Sequence, residues 1–292
     1  MSICHYDPRD IDFVFKKIQD FWRSKGMLES YPANRLSILA ACEDPRTVAT
    51  VNYNKQVWPL SQTLQMWAEH DLLTNPELPG LFSFGTSYRQ EPNPVVGRHN
   101  LAFCLMEFER PGTTEDCFEE LLETEAELLK YLGYTPGEDG KFPRITYDEA
   151  CKKYGVERLD HEHEEKLCEE LGPVVFLTDF PNDEAYWNMK MDKSNPGYTK
   201  KCDVLLSGIE TIGSAERSCD VAEMREQFHA NSEGGYAALL YEKFTKERVE
   251  AEMDVYLGHN FIPRYGGGIG LDRLIKSMKK CGLMPDHSKK ND

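Results

Sequence analysis

The segment Phe84–Glu109, FGTSYRQEPNPVVGRHNLAFCLMEFE, constrains the fold of this chain more than any other segment. Two runs rich in apolar residues, Leu81–Tyr88 and Leu101–Phe108, flank a polar stretch that contains two prolines and a glycine. Such runs, separated by turn-forming residues, predict two antiparallel strands joined by a long loop. We refer to this unit as the central hairpin.

Potential cations gather at the loop end of the central hairpin. Arg89 closes the first predicted strand, Arg98 and His99 open the second, and Phe103 follows a few residues later. Guanidinium groups bind phosphate oxygens with directed hydrogen bonds, and an aromatic ring offers a flat face to a base. The hairpin is therefore a candidate site for a nucleoside triphosphate. The alternative is a solvated hairpin whose arginines pair with nearby glutamates, Glu91 and Glu107.

The composition narrows the class of protein. A chain of 292 residues can form one large α/β domain or two small ones. No apolar run reaches the length of a membrane span, and the first ten residues lack the apolar middle of a signal peptide. The nine cysteines are scattered without a CxxC pair, which predicts reduced cytoplasmic thiols rather than a zinc site or a disulfide framework. The net charge of −16 disfavours broad nucleic-acid binding but allows a local basic patch.

Helical and extended patterns account for most of the remaining chain. Helical spacing of apolar residues covers Ile11–Trp22, the run TTEDCFEELLETEAELLKYLGY and about Asp220–Tyr256. Strand-like runs are Thr47–Tyr53, Gln56–Leu60, PVVFLTDFP, YWNMKMD and KCDVLLSGIETIGSAER. We expect the last two of these to pair with the central hairpin in one antiparallel sheet.

Polar side chains mark the start of the predicted helix LSQTLQMWAEHDLL. Ser61 or Thr63 could simply cap this helix. Gln62 and Gln65 are three residues apart, so on a helix both could face one pocket.

Two acidic positions could form a metal site. Asp203 and Glu210 are seven residues apart with Gly208 between them, so they could meet across a bent strand. Two carboxylates near arginines suit magnesium bound to phosphate oxygens, although a pair of edge charges is the simpler alternative. His161 and His163 would point to different faces of a helix, which predicts a solvated face instead of a metal site.

The glycine-rich run GGGIGL precedes a short helix that bears Arg273. It is not a Walker loop, because the chain contains no GK[ST], and it lacks the third glycine of the dinucleotide fingerprint. Only 22 residues follow Gly270, too few for the βαβ unit of a nicotinamide enzyme. We therefore expect a glycine-rich turn with close packing of a strand against a helix, and Arg273 near the helix start, where anions are favoured.

Three of these stretches together resemble the class II aminoacyl-tRNA synthetase catalytic domain, most closely its aspartyl, asparaginyl and lysyl subgroup. GMLESYP (about 26–34) is similar to motif 1, the central hairpin (about 84–109) to motif 2, and GGGIGLDR (about 263–275) to motif 3. The resemblance spans most of residues 10–280. It implies an α+β fold with an antiparallel sheet flanked by helices, as a single catalytic domain over residues 1–292.

The resemblance also implies an ATP site with magnesium. Arg89 would hold the α-phosphate and the substrate carboxylate, and Arg273 would stack on adenine and reach the γ-phosphate. The other nucleotide-binding positions that it implies are Glu91, Arg98, His99, Phe103 and Glu210. Asp203 and Glu210 match the magnesium-binding acids of the family, and motif 1 would form a homodimer.

Aspartate or asparagine is the substrate that the resemblance implies. AACED resembles the flexible loop ASEGG, so Glu43 would grip the α-amino group. LSQTLQ is similar to the QSPQ element, which gives Gln62 and Gln65 roles on the substrate side. ETIGSAER resembles the aspartyl and asparaginyl pattern, whose arginine, here Arg217, meets the carboxylate or amide of the substrate side chain. A buried cation there would repel a lysine side chain.

The sequence departs from the family at two positions: Ala102 replaces a glutamate and Arg264 replaces a histidine. The chain starts at the catalytic domain, so we expect no anticodon-binding domain and regard tRNA as a doubtful partner. The resulting prediction is an AMP-forming ligase of the asparaginyl or aspartyl type. The alternatives are an ammonia-dependent asparagine synthetase, whose motif 3 GGGIG resembles, and an inactive regulatory paralogue.

Overall fold

The computed structural model describes residues 7–32, 36–41, 44–95 and 100–287. These residues form nine α-helices and ten strands. The helices are α1 (Pro8–Ser24), α2 (Gln65–Thr74), α3 (Phe118–Leu132), α4 (Tyr147–Tyr154), α5 (His161–Leu171), α6 (Val221–Ala230), α7 (Gly235–Phe244), α8 (Lys246–Leu257) and α9 (Leu271–Lys280). The strands are β1 (Leu28–Glu29), β2 (Thr50–Tyr53), β3 (Gln56–Pro59), β4 (Leu81–Tyr88), β5 (Ala102–Pro111), β6 (Arg144–Thr146), β7 (Val174–Pro181), β8 (Tyr198–Leu206), β9 (Ile209–Arg217) and β10 (Arg264–Gly270).

Eight of the described strands form one sheet in the order β1-β4-β5-β10-β9-β8-β7-β6. Neighbouring strands are antiparallel except at the two ends, where β1 pairs with β4 and β6 with β7 in parallel. Strands β2 and β3 form a separate hairpin. The predicted α+β fold, an antiparallel sheet flanked by helices, is therefore confirmed.

The central hairpin is present with the predicted strands. Its two strands, β4 and β5, pair from Leu81 opposite Glu109 to Tyr88 opposite Ala102. Because successive side chains of a strand point to opposite faces, β5 divides its residues between two environments. Met106 and Phe108 join the apolar core on one face, and Phe103 and Glu107 line a cavity on the other.

Two apolar clusters hold the sheet between layers of helices. The larger one packs α1, α3 and α9 against the core face of β4, β5, β8, β9 and β10. The second cluster joins α2, α6, α7 and α8 above the opposite face. The cavity therefore lies between the sheet and this second helical layer. None of the described helices is long and apolar enough to cross a membrane.

The glycine-rich run is a central strand, so the predicted turn is wrong. Strand β10 lies between β5 and β9 and is paired with both. A Cβ atom on Gly266 would lie 2.2 Å from Glu109 Cδ, and one on Gly267 would lie 2.6 Å from Ser214 Cβ. Glycine is rare in strands but lets a backbone pass close to bulky neighbours, which explains why the run resembled a turn.

The predicted pairing of the last two extended runs with the central hairpin also needs correction. KCDVLLSGIETIGSAER forms β8 and β9, but β10 separates β9 from the hairpin. YWNMKMD is not a strand: it follows a short 3-10 turn and contributes only isolated bridges, Met189 to Arg217 and Met191 to Thr199.

Candidate active site

The cavity above the sheet has a volume of about 700 Å³ and is lined by side chains from distant parts of the chain. Among them are eight of the residues that the sequence predicted for the site, namely Gln65, Arg89, Glu91, Phe103, Asp203, Glu210, Arg217 and Arg273. A volume of this size is typical of small-molecule and cofactor sites. The fold thus brings the predicted cations and acids to one place.

Arg89 lies at the end of β4, next to the aromatic ring predicted to bind a base. Its backbone N–H donates to Leu101 O at 2.9 Å. This hydrogen bond holds the two strands of the central hairpin together at the loop end. The guanidinium carbon lies 5.4 Å from the centre of the Phe103 ring. A cation and a flat apolar face are therefore adjacent, as a nucleotide phosphate and its base require.

Arg273 enters the cavity from the first turn of α9. Its Nη1 donates to the backbone oxygen of Glu210 at 2.5 Å and lies 3.7 Å from Glu210 Oε2. The neighbouring Asp272 accepts a hydrogen bond from Asn100 Nδ2 at 2.7 Å, which ties the start of α9 to the start of β5. Arg273 therefore lies beside the acidic pair, on the side of the central hairpin.

Asp203 and Glu210 lie on either side of Gly213. A Cβ atom on Gly213 would be 3.1 Å from Glu210 Oε1 and 3.7 Å from Asp203 Oδ1. Asp203 Oδ1 is buried and has no hydrogen-bond partner among the described residues. Burial raises the pKa of Asp203 to about 7; Lys201 opposes the rise and Glu210 adds to it. An unpartnered carboxylate oxygen beside a second carboxylate, over a residue without a side chain, fits Mg²⁺.

Lys201 is a cavity residue that the sequence analysis missed. Its Nζ donates to Asp203 Oδ2 at 2.8 Å and lies 3.7 Å from the centre of the Phe180 ring. The signal was available, because residues two apart on a strand share a face and Lys201 precedes Asp203 by two positions. The ammonium group therefore lies directly beside the predicted metal ligand.

Arg217 lies at the end of β9, opposite Arg264 of β10. Both guanidinium groups are buried, and each is paired with its own glutamate. Arg217 Nη2 and Nε donate to Glu109 Oε1 at 2.7 and 3.2 Å. Arg264 Nη2 and Nε donate to Glu69 Oε2 at 2.6 and 2.9 Å. Two cations and two carboxylates thus form one cluster at the base of the cavity.

Glu69 links this cluster to the cavity wall. Its Oε1 accepts hydrogen bonds from Gln65 Nε2 at 2.8 Å and Asn188 Nδ2 at 2.7 Å, and its Oε2 accepts one from the Tyr256 hydroxyl at 2.7 Å. Burial alone would raise the pKa of Glu69, but Arg264 and Arg217 hold it below its usual value. The buried guanidinium of Arg264 therefore donates hydrogen bonds to Glu69, to the Tyr256 hydroxyl and to the backbone oxygen of Ser218.

Glu109 has a different electrostatic environment from Glu69. Burial raises the pKa of Glu109 to about 8, although Arg217 opposes the rise. Its Oε2 is buried without a hydrogen-bond partner among the described residues. Neither glutamate was predicted from the sequence. Glu109 could have been predicted to face the cavity only from its position on β5, because it lies two residues after Glu107 and therefore on the same face.

The prediction that Gln62 and Gln65 project from one helix is wrong. Helix α2 begins at Gln65, so Gln62 precedes it. Gln62 is buried and donates to Asp44 O at 3.0 Å and Thr47 Oγ1 at 2.7 Å. The predicted alternative, a cap from a neighbouring hydroxyl, is present: the Thr63 hydroxyl accepts a hydrogen bond from the Gln65 N–H at 3.0 Å. Glu107 adds a tertiary contact by accepting hydrogen bonds from the Thr63 hydroxyl and the Leu64 N–H.

Three predicted site residues, Glu43, Arg98 and His99, lie outside the described residues, so their roles stay predictions. At the start of α5, His163 Nδ1 accepts a hydrogen bond from the Asp160 N–H at 3.2 Å within a capping box. No group of three or more His, Cys, Asp or Glu side chains suited to a metal occurs in the described ranges.

Comparison with known proteins gives one consistent family. A family model described as tRNA synthetases class II (D, K and N) matches residues 16–282. The asparagine–tRNA ligase of Pelotomaculum thermopropionicum is 25% identical over 272 residues, which cover 83% of this chain and 58% of that protein. The aspartate–tRNA(Asp/Asn) ligase of Methanocaldococcus jannaschii is 23% identical, with 93% of this chain and 64% of that protein covered.

Solved structures agree on the fold. The asparaginyl-tRNA synthetase of Pyrococcus horikoshii, complexed with asparaginyl-adenylate, superposes with a TM-score of 0.73 at 22% identity. The match covers 93% of this chain and 64% of that one. This chain therefore spans between about half and two thirds of the length of its curated relatives.

Proposed function

Since the chain belongs to the class II tRNA synthetase family of the D, K and N enzymes, we propose that it is a ligase that activates aspartate or asparagine with ATP. The products are the aminoacyl-adenylate and pyrophosphate. One observation carries this proposal: Arg89, Arg217 and Arg273 line a single cavity together with Asp203 and Glu210. This is the charge pattern that a triphosphate and an amino acid require together.

The reaction needs no nucleophile from the protein. An oxygen of the substrate carboxylate attacks the α-phosphorus, a new P–O bond forms, and the P–O bond to the β-phosphate breaks as pyrophosphate leaves. The carboxylate is already ionised at neutral pH, so no proton has to be removed. The protein contributes orientation of the reactants and neutralisation of the charge that builds on the phosphoryl oxygens. We assign Arg89 to the reacting phosphate and Arg273 to the outer ones.

We assign Arg217 to the substrate side chain. It projects from β9 into the same cavity, and its guanidinium is fixed by Glu109. Gln65 lines the cavity beside it and is held by Glu69. A fixed guanidinium favours a carboxylate or an amide oxygen and disfavours a cationic side chain. We therefore assign aspartate or asparagine, and not lysine, as the substrate.

Magnesium would be held by Asp203 and Glu210, whose oxygens flank Gly213. When bound, the ion would neutralise phosphate charge and align the leaving pyrophosphate.

Pyrophosphate exchange tests the proposal. Wild-type protein should exchange labelled pyrophosphate into ATP with aspartate or asparagine, and not with lysine. Arg89→Ala and Arg273→Ala should each lower exchange by at least about 100-fold, because each removes a cation that stabilises the transition state. Arg225→Ala is the matched control, since Arg225 of α6 pairs with Asp254 of α8 and does not line the cavity. Exchange retained by both cavity variants would overturn the assignment, and absence of exchange with any amino acid would favour the regulatory paralogue.

The acceptor of the adenylate is decided by a second experiment. The protein is incubated with ATP, Mg²⁺ and labelled aspartate or asparagine, with total tRNA in one reaction and ammonia in another. Acid-precipitable label would identify a tRNA ligase, the activity named for the relatives. Free labelled asparagine formed from aspartate and ammonia would instead identify an asparagine synthetase.

A homodimer formed through the motif 1 region is part of the proposal. Leu28 of the edge strand β1 and the nearby Tyr31 are 48% and 73% exposed. Exposed apolar residues beside an open sheet edge favour an interface. Light scattering should give the mass of a dimer, and Leu28→Asp should shift it to that of a monomer. We also propose a cytoplasmic location, which the seven disulfide-free cysteines of the described ranges support.

A further inference from the structure

Both carboxylates of the predicted metal site already have a cation from the protein beside them. Lys201 Nζ lies 2.8 Å from Asp203 Oδ2, and Arg273 Nη1 lies 3.7 Å from Glu210 Oε2. Each carboxylate is therefore partly compensated by a cation of the protein before any metal binds, although Glu164 adds a further negative charge beside Glu210. In a site that holds a metal ion permanently, the metal ion itself neutralises the carboxylates. Here two cations of the protein already lie beside them.

The ammonium group of Lys201 is held firmly in this position. Its side chain is only 16% exposed. The Phe180 ring supports it from β7, with its centre 3.7 Å from Nζ. A cation held between a carboxylate and an aromatic face is favoured over one in water, particularly where solvent is excluded. Lys201 thus occupies one oxygen of Asp203 as a fixed feature of the sheet.

The other oxygen of Asp203 remains available. Asp203 Oδ1 is buried, has no hydrogen-bond partner in the described ranges, and shares the space over Gly213 with Glu210 Oε1. A divalent ion could therefore bind there, but Lys201 and Arg273 would repel it. A bound triphosphate would add several negative charges to the cavity. These charges would attract a divalent ion and outweigh its repulsion by the two cations.

We propose that Lys201 and Arg273 act as the resident cations of the Asp203–Glu210 pair, so that the pair takes up a divalent ion only together with the nucleotide. Lys201 thus provides the positive charge on Asp203 Oδ2 that a metal ion would otherwise provide. This inference rests on the proposed function, because it assumes that the cavity binds a nucleotide.

Binding of Mn²⁺, followed by electron paramagnetic resonance, tests the role of Lys201 without catalysis. Nucleotide-free wild-type protein should bind Mn²⁺ weakly. Lys201→Met removes the charge and keeps the length of the side chain, so its affinity for Mn²⁺ should rise at least about tenfold. Lys201→Arg should remain close to wild type. Adding Asp203→Asn to Lys201→Met should abolish the gain, which would place the new ion at Asp203.

The neighbouring lysine provides a matched control. Lys200 pairs with Asp192 at 2.6 Å, so Lys200→Met removes an equal charge from a different carboxylate and should leave Mn²⁺ affinity unchanged. Lys201→Gln serves as a second variant if Lys201→Met does not fold, which circular dichroism would show. Unchanged Mn²⁺ affinity in both Lys201 variants, or tight binding by the nucleotide-free wild type, would overturn the role of Lys201.

The same titration in the presence of α,β-methylene-ATP tests the second half of the inference. Wild-type protein should then bind Mn²⁺ in a ternary complex at least about tenfold more tightly than without nucleotide. Failure of this analogue to bind would overturn the proposed nucleotide site, whereas the nucleotide-free comparison would still decide the role of Lys201. Nucleotide binding without any gain in Mn²⁺ affinity would overturn the coupling between the two.

Discussion

Glu125 of α3 shows how a single buried carboxyl can set the pH dependence of stability. Burial raises its pKa to about 8 from an ordinary value of 4.5, and the charge of Asp203 adds to the rise. A carboxyl with a raised folded-state pKa favours folding while it is protonated. Its contribution is therefore complete below pH 4.5 and is lost as the pH rises through 8.

We predict that Glu125→Gln flattens the pH dependence of the unfolding free energy between pH 5 and 9. Ionisation of Glu125 lowers the unfolding free energy by an amount on the order of 3 kcal/mol over this range, and a glutamine, which cannot ionise, eliminates this decrease. Urea unfolding at several pH values measures the slope. Glu123→Gln, an exposed position on the same helix, should leave the slope unchanged. Parallel slopes for wild type and Glu125→Gln would show that Glu125 does not titrate in this range.

Arg217 is the residue on which the choice of amino acid depends. We predict that Arg217→Ala raises the KM for aspartate or asparagine by a factor equivalent to about 2–5 kcal/mol, because a buried charge-assisted contact to the substrate is lost. Arg217→Lys should recover only part of this, since an ammonium cannot reproduce the guanidinium fork. The KM for ATP should not change in steady-state exchange assays. An equal loss for both substrates would indicate a disturbed sheet instead.

At the scale of elements, strand β10 depends on glycine for its place in the sheet. A Cβ atom on Gly266 would lie 2.2 Å from Glu109 Cδ and 2.3 Å from the backbone oxygen of Phe108. We predict that Gly266→Ala costs about 3 kcal/mol or more, because a backbone atom cannot move aside as a flexible side chain does. Gly268→Ala, whose nearest neighbour is Glu107 Cγ at 3.4 Å, should cost less than about 1 kcal/mol. Chemical unfolding compares the two, and equal costs would refute the packing argument.

The same strand shows where prediction from sequence reached its limit. Strands β4 and β5 were predictable because their apolar runs and turn residues are local signals. Strand β10 was not, since what makes it a strand is the close approach of Glu109 and Ser214 from two other strands. Eight of the cavity residues, among them Arg89, Arg217 and Arg273, could be proposed from motif resemblance. Glu69 and Glu109 could not, because their roles depend on contacts between distant segments. Lys201 was predictable in principle, because it lies two residues before Asp203 on the same strand.

At the scale of the whole molecule, the pair Arg264–Glu69 joins the sheet to the second helical layer. It connects β10 to α2, and the Tyr256 hydroxyl of α8 bonds to both partners. We predict that Arg264→Met destabilises the protein by about 3–5 kcal/mol, because Glu69 would be left buried without its cation. Glu69→Met combined with Arg264→Met should recover much of this loss in urea unfolding. Additive losses would show that the two side chains act independently.

The position of β10 also has a consequence for how the chain folds during synthesis. All seven other strands of the sheet precede it in sequence, yet it lies between β5 and β9. Until β10 has left the ribosome, β1-β4-β5 and β9-β8-β7-β6 are two separate half-sheets, each with an open edge where β10 will later insert. Open edges of this kind recruit strands from other chains. We therefore expect the nascent chain to expose two unpaired strand edges until its glycine-rich strand is available to pair with both.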